Sequence, residues 1–269
     1  MTSQRSAIAT DSGAPVGTGS RATRVLGLVV LAGIALSAYL ALVSSPADEN
    51  MGDVVRIIYL HVPIVSMAYV GCTLTTLGSV MYLWKKSVWW DITAAASAEI
   101  AMVFTALTLV LGMIWARPTW GVWWVWDARL TSTAMLLLLL LGYLAVRRLP
   151  AEAATRSKRS AIVGVLLLPN VFIVNRSVTW WRSVHQGSTI LNTLQPKIHD
   201  QMASTLIVAL VVVAVLFVWL LIHRWRLVWL EEQLDAHELD RAIAERRAEA
   251  APAAAPVPAT PAEPSGVSS

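Results

Sequence analysis

The chain has 269 residues, 56% of them apolar and only 14% charged, with 13 Trp and a single Cys. Soluble domains carry about 25% charged residues, so this composition excludes an ordinary soluble domain and indicates a membrane protein. The net charge of +4 comes from basic residues that flank apolar segments instead of forming one stripe, which argues against nucleic acid as a partner.

Residues 1–24, rich in Ser, Thr, Gly and Arg, are expected to be a disordered arm. A membrane span needs about 20 apolar residues, and Val25–Val43 supplies the first. No small-residue cleavage site follows it, so a retained helix is expected in place of a signal peptide. A polar loop, Ser44–Leu60, leads to the second span, Val62–Trp84, with Cys72 inside it and Tyr59-Leu60-His61-Val62-Pro63 at its start. Pro63 suits a first helical turn, where its missing N–H costs nothing, which places His61 at or just before the helix start. Ile92–Trp115 is the third span and Leu130–Val146 the fourth. Glu99 lies within the third; intramembrane acids are functional suspects, but this one is shallow enough to reach water and is left unassigned.

Ala161–Val174 is short for a span and must borrow Phe172 to Trp181 to cross. A loop, roughly Asn175–Gln201, follows, and Met202–Ile222 is the last span. The fold expected is an all-α membrane protein, a bundle of six transmembrane helices over residues 25–223. Residues 224–250, rich in Glu, Arg, Ala and Leu, predict a solvated helix, and the Pro/Ala-rich 251–269 a disordered tail. Most Lys and Arg, among them Arg21, Arg24, Lys85, Lys86, Arg147, Arg148, Arg159 and Arg224, fall on one side of these spans. The positive-inside rule then puts both termini in the cytoplasm.

All the unusual chemistry falls on the opposite, outer side. Trp120-Gly121-Val122-Trp123-Trp124-Val125-Trp126-Asp127-Ala128-Arg129 forms the second outer loop. Read as a helix at about 100° per residue, Trp120, Trp123, Trp124 and Asp127 share one face, an aromatic wall with a carboxylate at its edge. A large planar ligand with acidic substituents suits such a wall. The bland reading is an interfacial aromatic belt, which does not call for Asp and Arg inside the cluster.

Of five histidines, His223 and His237 sit among charged residues and are expected on solvated surface. His61, at the outer end of the second span, and His185, in the third outer loop, approach the Trp wall from opposite sides. Two neutral imidazoles facing each other across an aromatic pocket match bis-histidine ligation of haem iron; each alone is more simply a capping or interfacial histidine. His199 has no aromatic company. Zinc is disfavoured because the outer side has no Cys and no close His pair. Arg117, Arg129 and Arg182 are candidate partners for haem propionates through paired hydrogen bonds, against snorkelling to headgroups. Asp127 is placed to orient Arg129 or an indole N–H. With one Cys and no Cys-x-x-Cys-His the chain has no means of attaching haem to itself.

Trp120-Gly121-x-Trp123-Trp124-x-Trp126-Asp127 resembles the tryptophan-rich (WWD) signature of the haem-handling proteins of cytochrome c maturation. Ala128-Arg129-Leu130-Thr131-Ser132 after the Asp is similar to the haem exporter protein C branch, and the two histidine motifs at His61 and His185 also match it. The resemblance runs from about Arg56 to Ile222. It implies a subunit that binds haem b with His61 and His185 as axial ligands and Trp120, Trp123, Trp124, Trp126, Asp127 and Arg129 around it. It further implies an ATP-binding-cassette ATPase, that ATPase's membrane partner and a small single-span protein as companions, delivering haem to a periplasmic haem chaperone from the inner membrane. The implied role is transport, with no catalysis by this chain's own side chains. A cytochrome b-type subunit of an oxidoreductase is the enzyme alternative, disfavoured because no histidine falls inside an expected span. A small-solute permease subunit is the third, disfavoured because the spans carry few polar residues.

Overall fold

The computed structural model describes residues 18–185 and 200–250. The expectations for residues 1–17, for the tail 251–269, for Gln186-Gly187-Ser188 and for His199 lie outside them. Every regular element among the described residues is helical.

Helix α1 spans Arg21–Tyr39 and runs into a π-helical turn, Leu40–Ser44. Ser20 and Thr23 close a capping box: the Thr23 N–H donates to Ser20 Oγ at 3.2 Å and the Ser20 N–H to Thr23 Oγ1 at 2.8 Å. These bonds satisfy first-turn amides and start the helix inside the stretch read as a disordered arm, so residues 21–24 are helical. A 3-10 turn, Asp53–Ile57, leads directly into α2, Ile58–Lys85. Lys86, left-handed at φ 53°, turns the chain into α3, Val88–Trp120. Helices α4, Ala128–Arg148, α5, Ala153–Val165, α6, Leu167–Trp180, and α7, Asp200–Ala250, follow.

Among the described residues, six stretches are long and apolar enough to cross a membrane: Arg21–Ser44, Asp53–Lys85, Val88–Trp120, Ala128–Arg148, Ala153–Trp180 and Asp200–Glu249. The protein is a multi-pass, all-helical membrane protein, as expected. The short fifth span is the main difference. It is Ala153–Trp180, two helices meeting at Leu166, and it begins in the charged stretch that hydropathy assigns to a loop. Ser157 and Ser160 turn inward and are buried there, while Lys158 and Arg159 stay exposed, so one helical face is paid in polar contacts and the other keeps its charge wet.

Helices α2 and α3 are the central pair, and α4 packs on α3, α5 and α6. Small residues set the α2–α3 approach: a Cβ added to Gly71 would lie 2.8 Å from Ala101 Cβ, and one on Gly78 would lie 2.9 Å from the Trp90 carbonyl oxygen. Without water to squeeze out, membrane helices associate through such close backbone contact. Leu136, Leu140, Tyr143 and Leu167 fill the α4–α6 side of the core.

Polar ties hold one end of the bundle. Arg147 (α4) forks onto Asp91 (α3) with both N–O distances 2.7 Å, and Arg224 (α7) forks onto Glu99 at 2.5 and 2.7 Å. Glu99 is therefore ion-paired. His223 is half-buried, not simply solvated as expected: its Nδ1 lies 3.0 Å from Thr18 Oγ1 and its ring 4.8 Å from Trp219. Trp219 in turn donates to the Thr23 carbonyl oxygen at 2.9 Å, joining α7 to α1.

Internal contacts divide the chain into two units, Met1–Trp229 and Leu230–Ser269. In the second, residues 230–250 are helical, His237 is exposed, and Arg241 and Glu245 form an i, i+4 pair at 2.9 Å.

Candidate functional site

The site lies at the other end of the first unit, where α2 begins, α3 stops and α4 starts. His61 sits in the first turn of α2, one 3-10 turn deeper than a helix beginning at Pro63 would place it, and it is buried. Pro63 is inside the helix instead of at its first position. Because the 3-10 turn feeds α2 without a break, the helix starts before the proline.

The tryptophan run is not helical, and the shared-face reading of Trp120, Trp123, Trp124 and Asp127 is overturned. Helix α3 ends at Trp120, capped by Gly121 at φ 78° in the left-handed region that glycine occupies most easily. Residues 121–127 then run as bends and extended chain. Arg117 donates to the Gly121 carbonyl oxygen and so seals the end of α3. Asp127 is the N-cap of α4: its Oδ1 accepts from the Leu130 N–H at 2.8 Å. Its Oδ2 accepts from Ser183 Oγ, and Ser183 Oγ also accepts from the His185 N–H at 3.0 Å. Asp127 thus anchors the loop that carries His185; no bond from it to Arg129 or to an indole is present among the described residues.

Two adjoining cavities open between these elements, and His61, Gly112, Trp120 and His185 line both. The first continues toward the bundle past Val65, Tyr69, Thr108, Trp124, Arg129 and Thr133. The second lies against Met51, Trp115 and Val184. His61 meets Trp115 edge-on at 5.7 Å between ring centres, and His185 meets Trp120 at 5.3 Å.

Of the residues singled out from sequence, His61, His185, Trp120, Trp124 and Arg129 come together on the cavities. Trp123 and Trp126 do not line them and are 58% and 82% exposed, although the Trp126 ring packs on Trp124 at 5.5 Å. Arg117 and Arg182 are exposed. Sequence reading missed Tyr69, Thr108, Gly112, Thr133 and Met51. A helical register would have found several: His61, Val65 and Tyr69 fall four apart on α2, as do Thr108 and Gly112 on α3, and Arg129 and Thr133 on α4.

The polar groups around the cavities are of two kinds, imidazole nitrogens and N–H donors. The Nδ1 atoms of both histidines are buried without a hydrogen-bond partner, as are Nε1 of Trp115, Nε1 of Trp124 and Nε of Arg129. Burial and the neighbouring Arg129 charge push His185 down to about 4, with Asp127 opposing, so its imidazole is neutral near pH 7 and keeps a lone pair to donate. Among the described residues no cluster of His, Cys, Asp and Glu fit to hold a bare metal ion occurs.

The family model for heme exporter protein C (CcmC) matches residues 11–240. Heme exporter protein C of Haemophilus influenzae is 36% identical over 191 residues, 70% of this chain and 76% of that protein. Heme exporter protein C of Escherichia coli K12 is 41% identical over 170 residues, 60% of this chain and 65% of that protein. A putative cytochrome c biosynthesis ccmC-like mitochondrial protein of Marchantia polymorpha is 36% identical over 156 residues, 58% of this chain and 66% of that protein. This chain spans just under two thirds of the length of the latter two. With a family model covering most of its length, the chain belongs to the heme exporter protein C family.

Proposed function

We propose that this protein is a haem-handling subunit of cytochrome c maturation that holds haem b between His61 and His185 and presents it to a periplasmic haem chaperone. The observation that carries the reading is the convergence on one aromatic cavity of two imidazoles whose Nδ1 atoms are buried without a hydrogen-bond partner. Each offers a neutral nitrogen to iron, while Trp120 and Trp124 supply apolar surface for the macrocycle and Arg129 a positive charge. Trp123 and Trp126, exposed beside the cavity, are placed to meet the chaperone or the rim of the ligand. Asp127 acts indirectly, by holding the His185 loop.

In this reading the protein is a transport component of the inner membrane. Its site faces the periplasm, both termini are cytoplasmic, and it works with an ATP-binding-cassette ATPase, that ATPase's membrane partner and a small single-span protein. The side chains bind and orient; none is an activated nucleophile or an acid–base pair. His61→Ala and His185→Ala, purified from a haem-producing host, should each lose the six-coordinate low-spin spectrum expected of the parent while still inserting in the membrane. Added imidazole should partly restore it. His237→Ala, far from the cavity in sequence and exposed, should bind as the parent does. A double His61/His185 variant with the parent's spectrum and haem content would overturn the assignment.

A further inference from the structure

The residues that line both cavities mark where the two meet: His61, Trp120, His185 and Gly112. Three of them carry rings and the fourth has no side chain. Gly71 and Gly78 are explained by the close approach of α2 and α3, but Gly112 is not. A Cβ built on it would meet one atom within 4 Å among the described residues, Cε1 of His61, at 3.4 Å. That is ordinary van der Waals distance, so no neighbouring helix comes near enough to demand a glycine there. The space a side chain would take is cavity.

Its neighbours on α3 continue the same surface. Thr108 and Ala116 stand one turn to either side on one helical face, and each lines one of the cavities. Thr108 Oγ1 donates to the Phe104 carbonyl oxygen at 2.8 Å, so its proton is spent inside the helix. The face is flat and carries no long side chain at these positions. Across from it stands His61, only 9% exposed, with an Nδ1 that has no hydrogen-bond partner. Cε1 is bonded to both ring nitrogens, so a broad guest held through either one must spread past the carbon that Gly112 faces. We propose that Gly112 is the seating position for the ring of the cargo. Its missing side chain joins the two cavities into one slot, and the macrocycle lies over the surface of Thr108, Gly112 and Ala116 beside His61. The proposal rests on the haem-binding reading and adds to it a determinant of shape. Glycine inside a helix is less favourable than alanine, so substitution at 112 should move stability and binding in opposite directions.

The test uses the purified full-length protein in detergent, titrated with ferric haem and, separately, melted without it. Gly112→Ala should melt no lower than the parent and bind haem about tenfold more weakly, the scale on which one added methyl group disturbs a filled contact. Gly112→Leu, whose side chain would occupy the slot, should bind more weakly still and lose the six-coordinate spectrum. Gly142→Ala is the control: a Cβ at that position on α4 would meet no atom within 4 Å, and Gly142 lines neither cavity. It should bind haem as the parent does. A Gly112→Ala protein with the parent's haem affinity would overturn the seating role. So would one whose weaker binding comes with a lower melting temperature, because the glycine would then serve packing. A parent that gives no six-coordinate spectrum with ferric haem would instead overturn the haem reading itself. If Gly112→Leu does not fold, the alanine variant decides.

Discussion

At the residue scale the site depends on a relay that no residue in it advertises. Asp127 holds Ser183, and Ser183 holds the backbone of His185, so the aspartate reaches the imidazole without touching it. Ser183→Ala removes both bonds at once, and a hydrogen bond to a charged group is worth roughly 1.5–3 kcal/mol. We expect this variant to release haem about tenfold faster or more, with the spectrum of the bound form little changed, as read by transfer to an excess of a scavenger protein. An unchanged release rate would show that the loop is positioned some other way. The candidate histidines, Trp120, Trp124 and Arg129 were legible as residues because neutral imidazoles, indoles and guanidinium are scarce company in an apolar chain. The role of Asp127 was not, because the tryptophans around it suggested one helix. A capping aspartate can be read only once the helix is known to begin after it.

At the scale of elements, the spans follow from hydropathy but their ends do not. Residues 153–160 look like a loop by charge, yet they complete a span because Ser157 and Ser160 are buried and Ser160 lies 3.5 Å from Arg147. The Asp91–Arg147 pair at this end has side chains only 5% and 12% exposed, and breaking such a pair leaves an uncompensated charge. Arg147→Met should therefore lower stability by about 3–5 kcal/mol, seen as a fall in the melting temperature of the detergent-purified protein. Adding Asp91→Leu to it should recover most of the loss, because a matched apolar pair avoids the desolvation penalty altogether. A single variant as stable as the parent would mean that water reaches the pair. The glycines at 71 and 78 illustrate the other limit of sequence reading: they look like ordinary span residues, and only the distance to α3 gives them a reason.

At the scale of the molecule, the orientation rests on the uneven distribution of Lys and Arg. It can be tested on intact cells with a membrane-impermeant maleimide, because the only native cysteine, Cys72, is fully buried. Val122→Cys, exposed in the tryptophan-rich loop, should label from outside, whereas Glu152→Cys, exposed between α4 and α5, should label only after the cells are opened. The reverse pattern would invert the bundle and place the histidine cavity on the cytoplasmic side.

Six spans, an all-helical fold and two histidine motifs beside a tryptophan run were determined by the sequence alone, because each is a property of a contiguous segment and needs no neighbour to define it. The partition of that run was decided only in three dimensions. Once α3 stops at Trp120 with Gly121 left-handed, the packing of α2, α3 and α4 turns Trp120 and Trp124 onto the cavity and leaves Trp123 and Trp126 in the open. The same packing brings Tyr69 and Thr108, distant in sequence, to the floor beneath the histidines. A cavity is the space between elements, and its lining depends on where each helix begins, where it stops and how closely small residues let the next one approach.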